Sequence, residues 1–254
     1  MAKPILIANW KNHPGSILEA RALLRQMAKS AKLYKKLSFF VAPPFIYFES
    51  VSERLGSFGQ LASQNISSLS PGNYTGQITS DILKSFGVRL SIIGHSERRG
   101  FGETSEHIAK KVKTALHSGI TPLVCIGEIS RDQDGEHFEF LREQIKLSLA
   151  GLNRKADTLK LALAYEPVWA IGKRAEDAIA PADLSQSVIF IKKVLTDMFG
   201  RAIAERIPIL YGGSVEPANA RALFGETGIK GFLVGRVSLN AKNFEAIAQS
   251  LISK

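Results

Sequence analysis

The middle of the chain contains an apolar, strand-forming run that leads directly into a carboxylate: Leu159-Lys160-Leu161-Ala162-Leu163-Ala164-Tyr165-Glu166-Pro167-Val168-Trp169-Ala170-Ile171-Gly172. Pro167 ends the run because proline has no N–H to donate to a β-ladder. In a parallel barrel the carboxyl ends of the strands carry the chemistry. Glu166 is therefore a candidate catalytic base at the rim of a pocket, and a surface or ion-paired glutamate is the alternative interpretation.

Short β-rich runs alternate with amphipathic helical stretches along the whole sequence. The predicted strands are Ile5–Ala8, Leu37–Ala42, Gln60–Ser63, Leu90–Gly94, Leu123–Ile126, Leu159–Tyr165, Ile207–Tyr211 and Gly231–Val234. Helical spacing of apolar residues is found in Glu136 to Leu149 and in Leu184 to Phe199. Eight strands, each followed by a helical pattern, predict an α/β fold in the form of a closed (β/α)8 barrel.

The length of the chain, 254 residues, fits one such barrel, which takes about 250 residues. No stretch resembles a linker, so we expect a single domain over residues 1–254. An open, doubly wound sheet would carry a glycine-rich dinucleotide-binding turn after an early strand. The chain instead continues from Ile5–Ala8 into Asn9-Trp10-Lys11-Asn12, which favours the barrel.

The composition limits the cellular setting. The longest apolar runs are the length of a strand, so we expect no membrane span. The N-terminal apolar run is too short for the core of a signal peptide. Cys125 is the single cysteine, which excludes an internal disulfide framework and fits a reducing compartment. We therefore expect a cytoplasmic protein.

The chain is basic, with a net charge of +10. Its lysines and arginines are scattered over many segments, with short clusters such as Lys29 to Lys36. Zinc-ligand spacing, RNA-binding signatures and a basic arm do not accompany them. We favour a solvated basic surface over a nucleic-acid partner, and we predict neither a metal nor a cofactor.

Polar or glycine-rich groups follow five of the predicted strands, and the ends of parallel strands share one rim of a barrel. The groups are Asn9 and Lys11, then His95, Ser96 and Glu97, then Glu166, then Gly212-Gly213-Ser214, and finally Gly235-Arg236. A carboxylate can remove a proton from carbon, a neutral imidazole can move protons between oxygens, and an ammonium can stabilise an enediolate. Backbone N–H groups after the last two strands form a common phosphate site. Together these groups predict an aldose–ketose isomerase of a small sugar phosphate.

Six segments resemble motifs of the triosephosphate isomerase family, in that family's order and at nearly its spacing. They are Asn9-Trp10-Lys11, Gly94-His95-Ser96-Glu97-Arg98-Arg99, Cys125-Ile126-Gly127-Glu128, Ala164 to Gly172, Tyr211-Gly212-Gly213-Ser214-Val215 and Gly231-Phe232-Leu233-Val234-Gly235. The resemblance implies interconversion of dihydroxyacetone phosphate and D-glyceraldehyde 3-phosphate through an enediol(ate), in glycolysis and gluconeogenesis.

The resemblance also implies a role for each candidate catalytic residue. Glu166 would move the proton between substrate C1 and C2, and His95 would move protons between the two oxygens. Lys11 would stabilise the developing negative charge. Glu97 would support catalysis as the partner of Lys11, and Asn9 would orient the substrate.

A phosphate site and a mobile lid follow from the same resemblance. Backbone amides of Gly172, Ser214, Gly235 and Arg236 would hold the phosphate. The lid would comprise Pro167, Val168, Trp169, Ala170, Ile171 and Gly172, and its closure would exclude water. Ile171 and Leu233 would be its apolar contacts over the base, and Tyr211 and Ser214 would hold the closed form.

The chain departs from the family pattern at two places in the site. Gly172-Lys173-Arg174-Ala175-Glu176-Asp177 replaces the family's common Gly-Thr-Gly-Lys-Thr-Ala, which alters the C-terminal hinge of the lid. Gly235-Arg236 stands where a double glycine is usual. The position needs only its backbone N–H, but arginine would be strained there if a positive φ were required.

A further segment bears on assembly. Gly72-Asn73-Tyr74-Thr75-Gly76-Gln77 is similar to the family's interdigitating dimer loop. The resemblance therefore implies a homodimer in which Thr75 of one subunit supports Asn9 and His95 of the other.

Two alternative functions stay open. One is an isomerase of a four-carbon ketose phosphate on the same barrel, for which the altered lid and Arg236 would make room. The other is a non-catalytic basic protein that binds an anionic polymer.

Overall fold

The strands form a closed parallel barrel in the computed structural model, which describes residues 2–132, 134–152, 158, 160–172 and 178–252. The strands are β1 Ile5–Asn9, β2 Ser38–Ala42, β3 Gln60–Ser63, β4 Leu90–Ile93, β5 Thr121–Ile126, β6 Ala162–Tyr165, β7 Ile209–Tyr211 and β8 Gly231–Val234. Each pairs with its neighbours in the sequence, and β8 pairs with β1. The predicted (β/α)8 barrel is confirmed.

Helices surround the strands. Within the described residues they are α1 Ile17–Ala28, α2 Ala31–Tyr34, α3 Phe48–Leu55, α4 Ser80–Ser85, α5 Ser96–Gly100, α6 Ser105–His117, α7 Glu136–Ser148, α8 Pro181–Phe199, α9 Arg201–Ala204, α10 Ala220–Glu226 and α11 Ala241–Ser250. Short 3-10 turns occupy Phe45–Tyr47, Val168–Ala170 and Arg236–Leu239. The helix α8 shows why these segments dock: Leu184, Val188, Ile191 and Leu195 recur at helical spacing and are all buried.

Two strands begin two or three residues later than the sequence pattern predicts, and β2 begins one residue later, at Ser38. In β6, Leu161 donates its N–H to the Thr158 carbonyl in a turn, so the ladder starts only at Ala162. Leu159, the first residue of the predicted run, lies outside the described residues. In β7, Pro208 has no N–H, and Ile207 bonds back to Ala204 at the end of α9.

The core has two layers, because successive side chains of a strand point to opposite faces. Leu6 and Ala8 pack between the barrel and the helices. Ile7 lies inside the barrel, in the cluster Ile7, Ala42, Ala62, Leu90, Ile92, Leu123, Cys125, Ala162, Ala164, Leu210 and Leu233. The filled interior leaves the carboxyl ends of the strands as the place for a pocket.

The seam between β8 and β1 depends on a glycine. Gly231 has φ +147°, and a Cβ there would stand 1.7 Å from the carbonyl oxygen of Ile5. The Ile5 N–H donates to the Lys230 carbonyl at 2.8 Å across the same seam. A side chain at position 231 would push the first and last strands apart.

Candidate active site

Glu166 directly follows β6 and is buried, with 2% of its surface exposed. Its backbone N–H donates to the Ile126 carbonyl at 2.7 Å, which continues the ladder by one residue. Its Oε2 accepts the Ser96 N–H at 2.9 Å. Its Oε1 is buried without a hydrogen-bond partner among the described residues and lies 3.4 Å from His95 Nε2. A buried carboxylate oxygen in this state is available to accept a proton.

Two glycines make room for this carboxylate. A Cβ at Gly212 would meet Glu166 Cγ at 2.7 Å and Oε1 at 3.2 Å. A Cβ at Gly127 would stand 2.0 Å from the carbonyl oxygen of Glu166. Residues 127 and 212 therefore lack side chains because Glu166 occupies the space.

His95 presents a defined face to Glu166. It precedes α5 as the N-cap residue, and its Nδ1 accepts the Glu97 N–H at 3.2 Å. An imidazole nitrogen that accepts a hydrogen bond carries no proton, so the ring proton resides on Nε2. His95 is only 7% exposed. The structure thus aims an N–H donor at the space beside Glu166.

Lys11 is held in an unusual backbone conformation. Its φ is +52°, the sole positive value among the described residues other than glycine. Such a conformation costs about 1–2 kcal/mol in a non-glycine residue. Three contacts hold it: Lys11 N–H donates to Asn9 Oδ1 at 3.0 Å, Gln64 Nε2 donates to the Lys11 carbonyl at 2.7 Å, and Lys11 Nζ pairs with Glu97 Oε1 at 2.6 Å. The predicted Lys11–Glu97 partnership is present.

A cavity of about 240 Å³ lies among the loops that follow the strands. Its lining brings together most of the predicted residues: Asn9, Lys11, His95, Ile171, Gly172, Gly212, Gly213, Ser214, Leu233, Gly235 and Arg236. On the β7 and β8 side the lining is largely backbone. Asn219 fixes that side, because its Nδ2 donates to the Ser214 carbonyl and its Oδ1 accepts the Glu216 N–H.

Arg236 is accommodated without strain. It begins the 3-10 turn Arg236–Leu239, and its φ is not positive, since Lys11 is the one described non-glycine residue with that feature. Its side chain is 71% exposed and lies 3.7 Å from Glu216. The concern that this position requires a glycine conformation does not apply.

The segment Pro167–Gly172, which we call the lid, lies against the cavity. Val168–Ala170 form one 3-10 turn, and Trp169 Nε1 donates to Glu128 Oε1 at 2.9 Å. Ile171 and Gly172 line the cavity, and Gly172 has φ +75°. The altered hinge predicted for residues 173–177 lies outside the described residues.

Other predicted residues have the following positions. Tyr211 is fully buried, and burial raises the pKa of its hydroxyl. Cys125 lies in the barrel interior, where burial and the Glu166 carboxylate raise the pKa of its thiol. This keeps Cys125 a protonated core residue. Thr75 is exposed, as are its neighbours in residues 71–77.

The sequence analysis missed Gln64. It follows β3 and donates to the carbonyls of both Lys11 and Ala42. The signal was present, because Gln64 is a polar residue directly after a predicted strand. In the described part of the chain, groups of three His, Cys, Asp or Glu residues arranged for a metal do not occur.

The site combines a carboxylate that faces an imidazole N–H, an ammonium group beside them and a cavity lined by backbone. These features define the class of protein: a (β/α)8-barrel enzyme that transfers protons on a small anionic substrate.

Comparisons with known proteins narrow this class. A family model described as triosephosphate isomerase matches residues 4–251. The chain is 39% identical over 250 residues to the triosephosphate isomerase of Geobacter metallireducens, covering 97% of this chain and 98% of the relative. It is 37% identical over 255 residues to that of Carboxydothermus hydrogenoformans, covering 99% and 100%. For Flavobacterium johnsoniae the identity is 35% over 254 residues, with the same coverage.

The chain belongs to the triosephosphate isomerase family, and it is an isomerase.

Proposed function

We propose that Glu166, His95 and Lys11 interconvert dihydroxyacetone phosphate and D-glyceraldehyde 3-phosphate in one catalytic domain spanning residues 1–254. The interconversion itself follows from membership of the family over residues 4–251. One observation supports the roles most directly. The buried Oε1 of Glu166, which has no hydrogen-bond partner among the described residues, lies 3.4 Å from the Nε2 of His95, and His95 lines the cavity.

Glu166 starts the reaction by removing a proton from C1 of dihydroxyacetone phosphate. Electrons from that C–H bond form a C1–C2 double bond, and the C2 carbonyl oxygen becomes negatively charged. His95 donates its Nε2 proton to this oxygen, because Nδ1 is occupied by the Glu97 N–H. Lys11 lies beside the cavity and stabilises the developing charge. The product of this step is an enediol.

The second half returns both protons. The anionic ring of His95 takes the proton from the hydroxyl on C1, and the oxygen left on C1 becomes the aldehyde oxygen. Glu166 then returns its proton to C2. Both residues finish in their starting states, so atoms and charges balance without a cofactor.

The wall formed by β7 and β8 holds the phosphate through backbone N–H groups at Ser214, Gly235 and Arg236, with Gly172 from the lid. The first amides of a helical turn have no partner within the turn, which makes them anion donors. Asn9 orients the substrate, and Glu97 holds the Lys11 ammonium. Closure of the lid excludes water from the enediol.

An assay of D-glyceraldehyde 3-phosphate turnover, coupled to a dehydrogenase that consumes the ketose product, tests this proposal. We expect turnover by the wild type and a loss of about 10³–10⁴-fold in Glu166→Gln, because a positioned base contributes that much. Circular dichroism of the variant serves as the folding control. Unchanged turnover in Glu166→Gln would refute the assignment of the base.

A second assay decides between substrates of different length. We expect kcat/KM for the three-carbon substrate to exceed that for a four-carbon ketose phosphate. The cavity is small, about 240 Å³, and closure of the lid, whose Ile171 and Gly172 already line it, would leave less room for a longer substrate. A reversed ratio would establish the four-carbon alternative.

We also propose a cytoplasmic homodimer. Phe101 is 90% exposed and Ile46 is 81% exposed, and the proposed dimer would cover these apolar side chains. Thr75 of one subunit would reach Asn9 and His95 of the other. A sedimenting species of twice the chain mass is expected, and a fully active monomer would refute the dimer. A helix long and apolar enough to cross a membrane is not found in the part of the chain that the structure describes.

A further inference from the structure

We infer that Arg131, on the loop after β5, is a positioning residue that connects both ends of the lid loop and fixes the resting place of Trp169. The inference rests on the proposed function, in which Glu166 is the base and Pro167–Gly172 the lid. Arg131 has no part in the roles assigned above. Its side chain is 20% exposed and has contacts on either side of the loop.

One set of contacts lies beyond the lid, at the start of α8. Arg131 Nη1 pairs with Asp183 Oδ1 at 3.1 Å. Its Nη2 donates to the Asp183 carbonyl at 3.2 Å and to Ser187 Oγ at 2.8 Å. Two nitrogens of one planar guanidinium thus attach the β5 loop to the helix that follows the lid.

The second set lies within the lid. The guanidinium carbon of Arg131 lies 5.5 Å from the ring centroid of Trp169, within the range of a cation–π interaction. The edge of the same indole donates from Nε1 to Glu128 Oε1 at 2.9 Å. Arg131 Nε lies 3.7 Å from that carboxylate oxygen. Trp169 is therefore held by its face and by its edge.

A chain of hydrogen bonds joins the two sets. Arg131 Nη2 donates to Ser187 Oγ, which donates to the Tyr165 hydroxyl at 3.1 Å, which donates to Glu128 Oε1 at 2.8 Å. Burial and the Glu128 carboxylate raise the pKa of Tyr165, so its hydroxyl keeps the proton that it donates. The bonds all point from the cation toward the carboxylate, an order in which each bond strengthens the next.

The base lies between the anchored residues. Glu166 directly follows Tyr165 and precedes Trp169 by three positions. Both of these flanking side chains donate to Glu128 Oε1, whose surroundings Arg131 completes. Loss of Arg131 would release Trp169 and allow Glu166 a wider range of orientations. The backbone N–H groups after β7 and β8, which we propose hold the phosphate, would be unaffected.

The test uses Arg131→Met, with Arg142→Met as the matched control. Arg142 also covers an aromatic ring, Phe190 of α8, at 5.2 Å and pairs with Glu139 at 3.1 Å, but it lies on α7 and has no contact with Trp169 or Glu128 among those described. Acrylamide quenching of Trp169 is measured without substrate, and the Trp169→Phe protein supplies the signal of Trp10, the other tryptophan, which is 0% exposed. Steady-state kinetics with D-glyceraldehyde 3-phosphate and competitive inhibition by inorganic phosphate follow.

We expect Arg131→Met to raise the quenching constant of Trp169 at least about twofold and to lower kcat by about ten- to a hundredfold, the loss typical of a misplaced catalytic group. The inhibition constant of inorganic phosphate should stay within about threefold of the wild-type value, since the backbone N–H groups proposed to bind phosphate are unchanged. Arg142→Met should match the wild type in all three measurements. Arg131→Lys, which keeps the charge without the planar fork, should give intermediate values and serves if the methionine variant does not fold.

The inference would be overturned if Trp169 quenching in Arg131→Met equalled that of the wild type, or if Arg142→Met showed an equal increase. Unchanged kcat would overturn it as well. Failure of the proposed function is distinguishable, because it would appear as absent turnover in the wild type, whereas the quenching comparison needs no substrate.

Discussion

The two walls of the cavity are built from different parts of the chain. The wall at β4 presents the side chain of His95, with Glu166 from β6 in contact behind it at 3.4 Å, and each of these side chains is held by a backbone N–H. The wall at β7 and β8 presents backbone, with glycines at 212, 213 and 235. The function of the first wall depends on which side-chain groups are present. The function of the second wall depends on its side chains being small or directed away from the cavity, so that the backbone is accessible. We call them the side-chain wall and the backbone wall.

The largest effect in this comparison is expected from His95→Gln. Glutamine can donate a hydrogen bond from a similar place, but it cannot transfer a proton to the carbonyl oxygen. We expect kcat to fall by about 10²–10⁴-fold, with a much smaller change in KM. Steady-state kinetics measure both constants.

His117→Gln is the control for the histidine change, since His117 ends α6 away from the cavity. If His95→Gln changed KM and left kcat intact, the side-chain wall would be a binding wall, and the comparison would fail.

An intermediate effect is expected from Gly212→Ala, which belongs to the backbone wall but lies against the base. The added methyl would meet Glu166 Cγ at 2.7 Å and force the carboxylate to move. We expect kcat to fall by about ten- to a hundredfold, because small displacements of a catalytic group are costly. The kinetics of the purified variant check this.

Gly225→Ala provides the matched control. Gly225 lies in α10, and a Cβ there would meet nothing within 4 Å. We expect unchanged kinetics and a gain of about 0.5–1 kcal/mol in the free energy of unfolding, because alanine is the better helix former. Equal kinetics for both alanine variants would mean that the space beside Glu166 is not restricted.

The smallest effect is expected from Arg236→Gly, a change confined to the backbone wall. The side chain is 71% exposed and lies 3.7 Å from Glu216, a distance at which an exposed pair contributes little. The backbone N–H remains, so we expect KM and kcat to stay within about threefold. A tenfold rise in KM would show that the guanidinium itself binds the phosphate.

The strands were predictable because their apolar runs, and the residues that end those runs, are local signals in the sequence. Pro167 after Glu166 and the repeated alternation of strand and helix patterns were sufficient for the barrel. The late starts of β6 and β7 were not, because they depend on turn bonds made by Leu161 and Ile207. A run of strand-forming residues does not show where the preceding turn ends, although Pro208 was a local signal against an earlier start of β7.

The sequence was sufficient to predict which residues form the candidate site, but not which contacts they make with one another. Side chains after the strands had to share one rim, so Lys11, His95 and Glu166 could be grouped from the sequence. The hydrogen bond from Ser96 N–H to Glu166, 70 positions apart in sequence, could not be derived that way. The cluster around Arg131 was likewise hidden, because its partners come from three separate segments.

The late position of Gly231 in the chain determines when the active site can form during synthesis. The strand that completes the ring begins at this residue, and it bonds to the first strand of the chain. A ribosome therefore releases His95 and Glu166 well before the ring can close around them. A nascent chain that stops short of Gly231 has both groups but lacks the pairing partner of its first strand, so assembly of the site is a late event in synthesis.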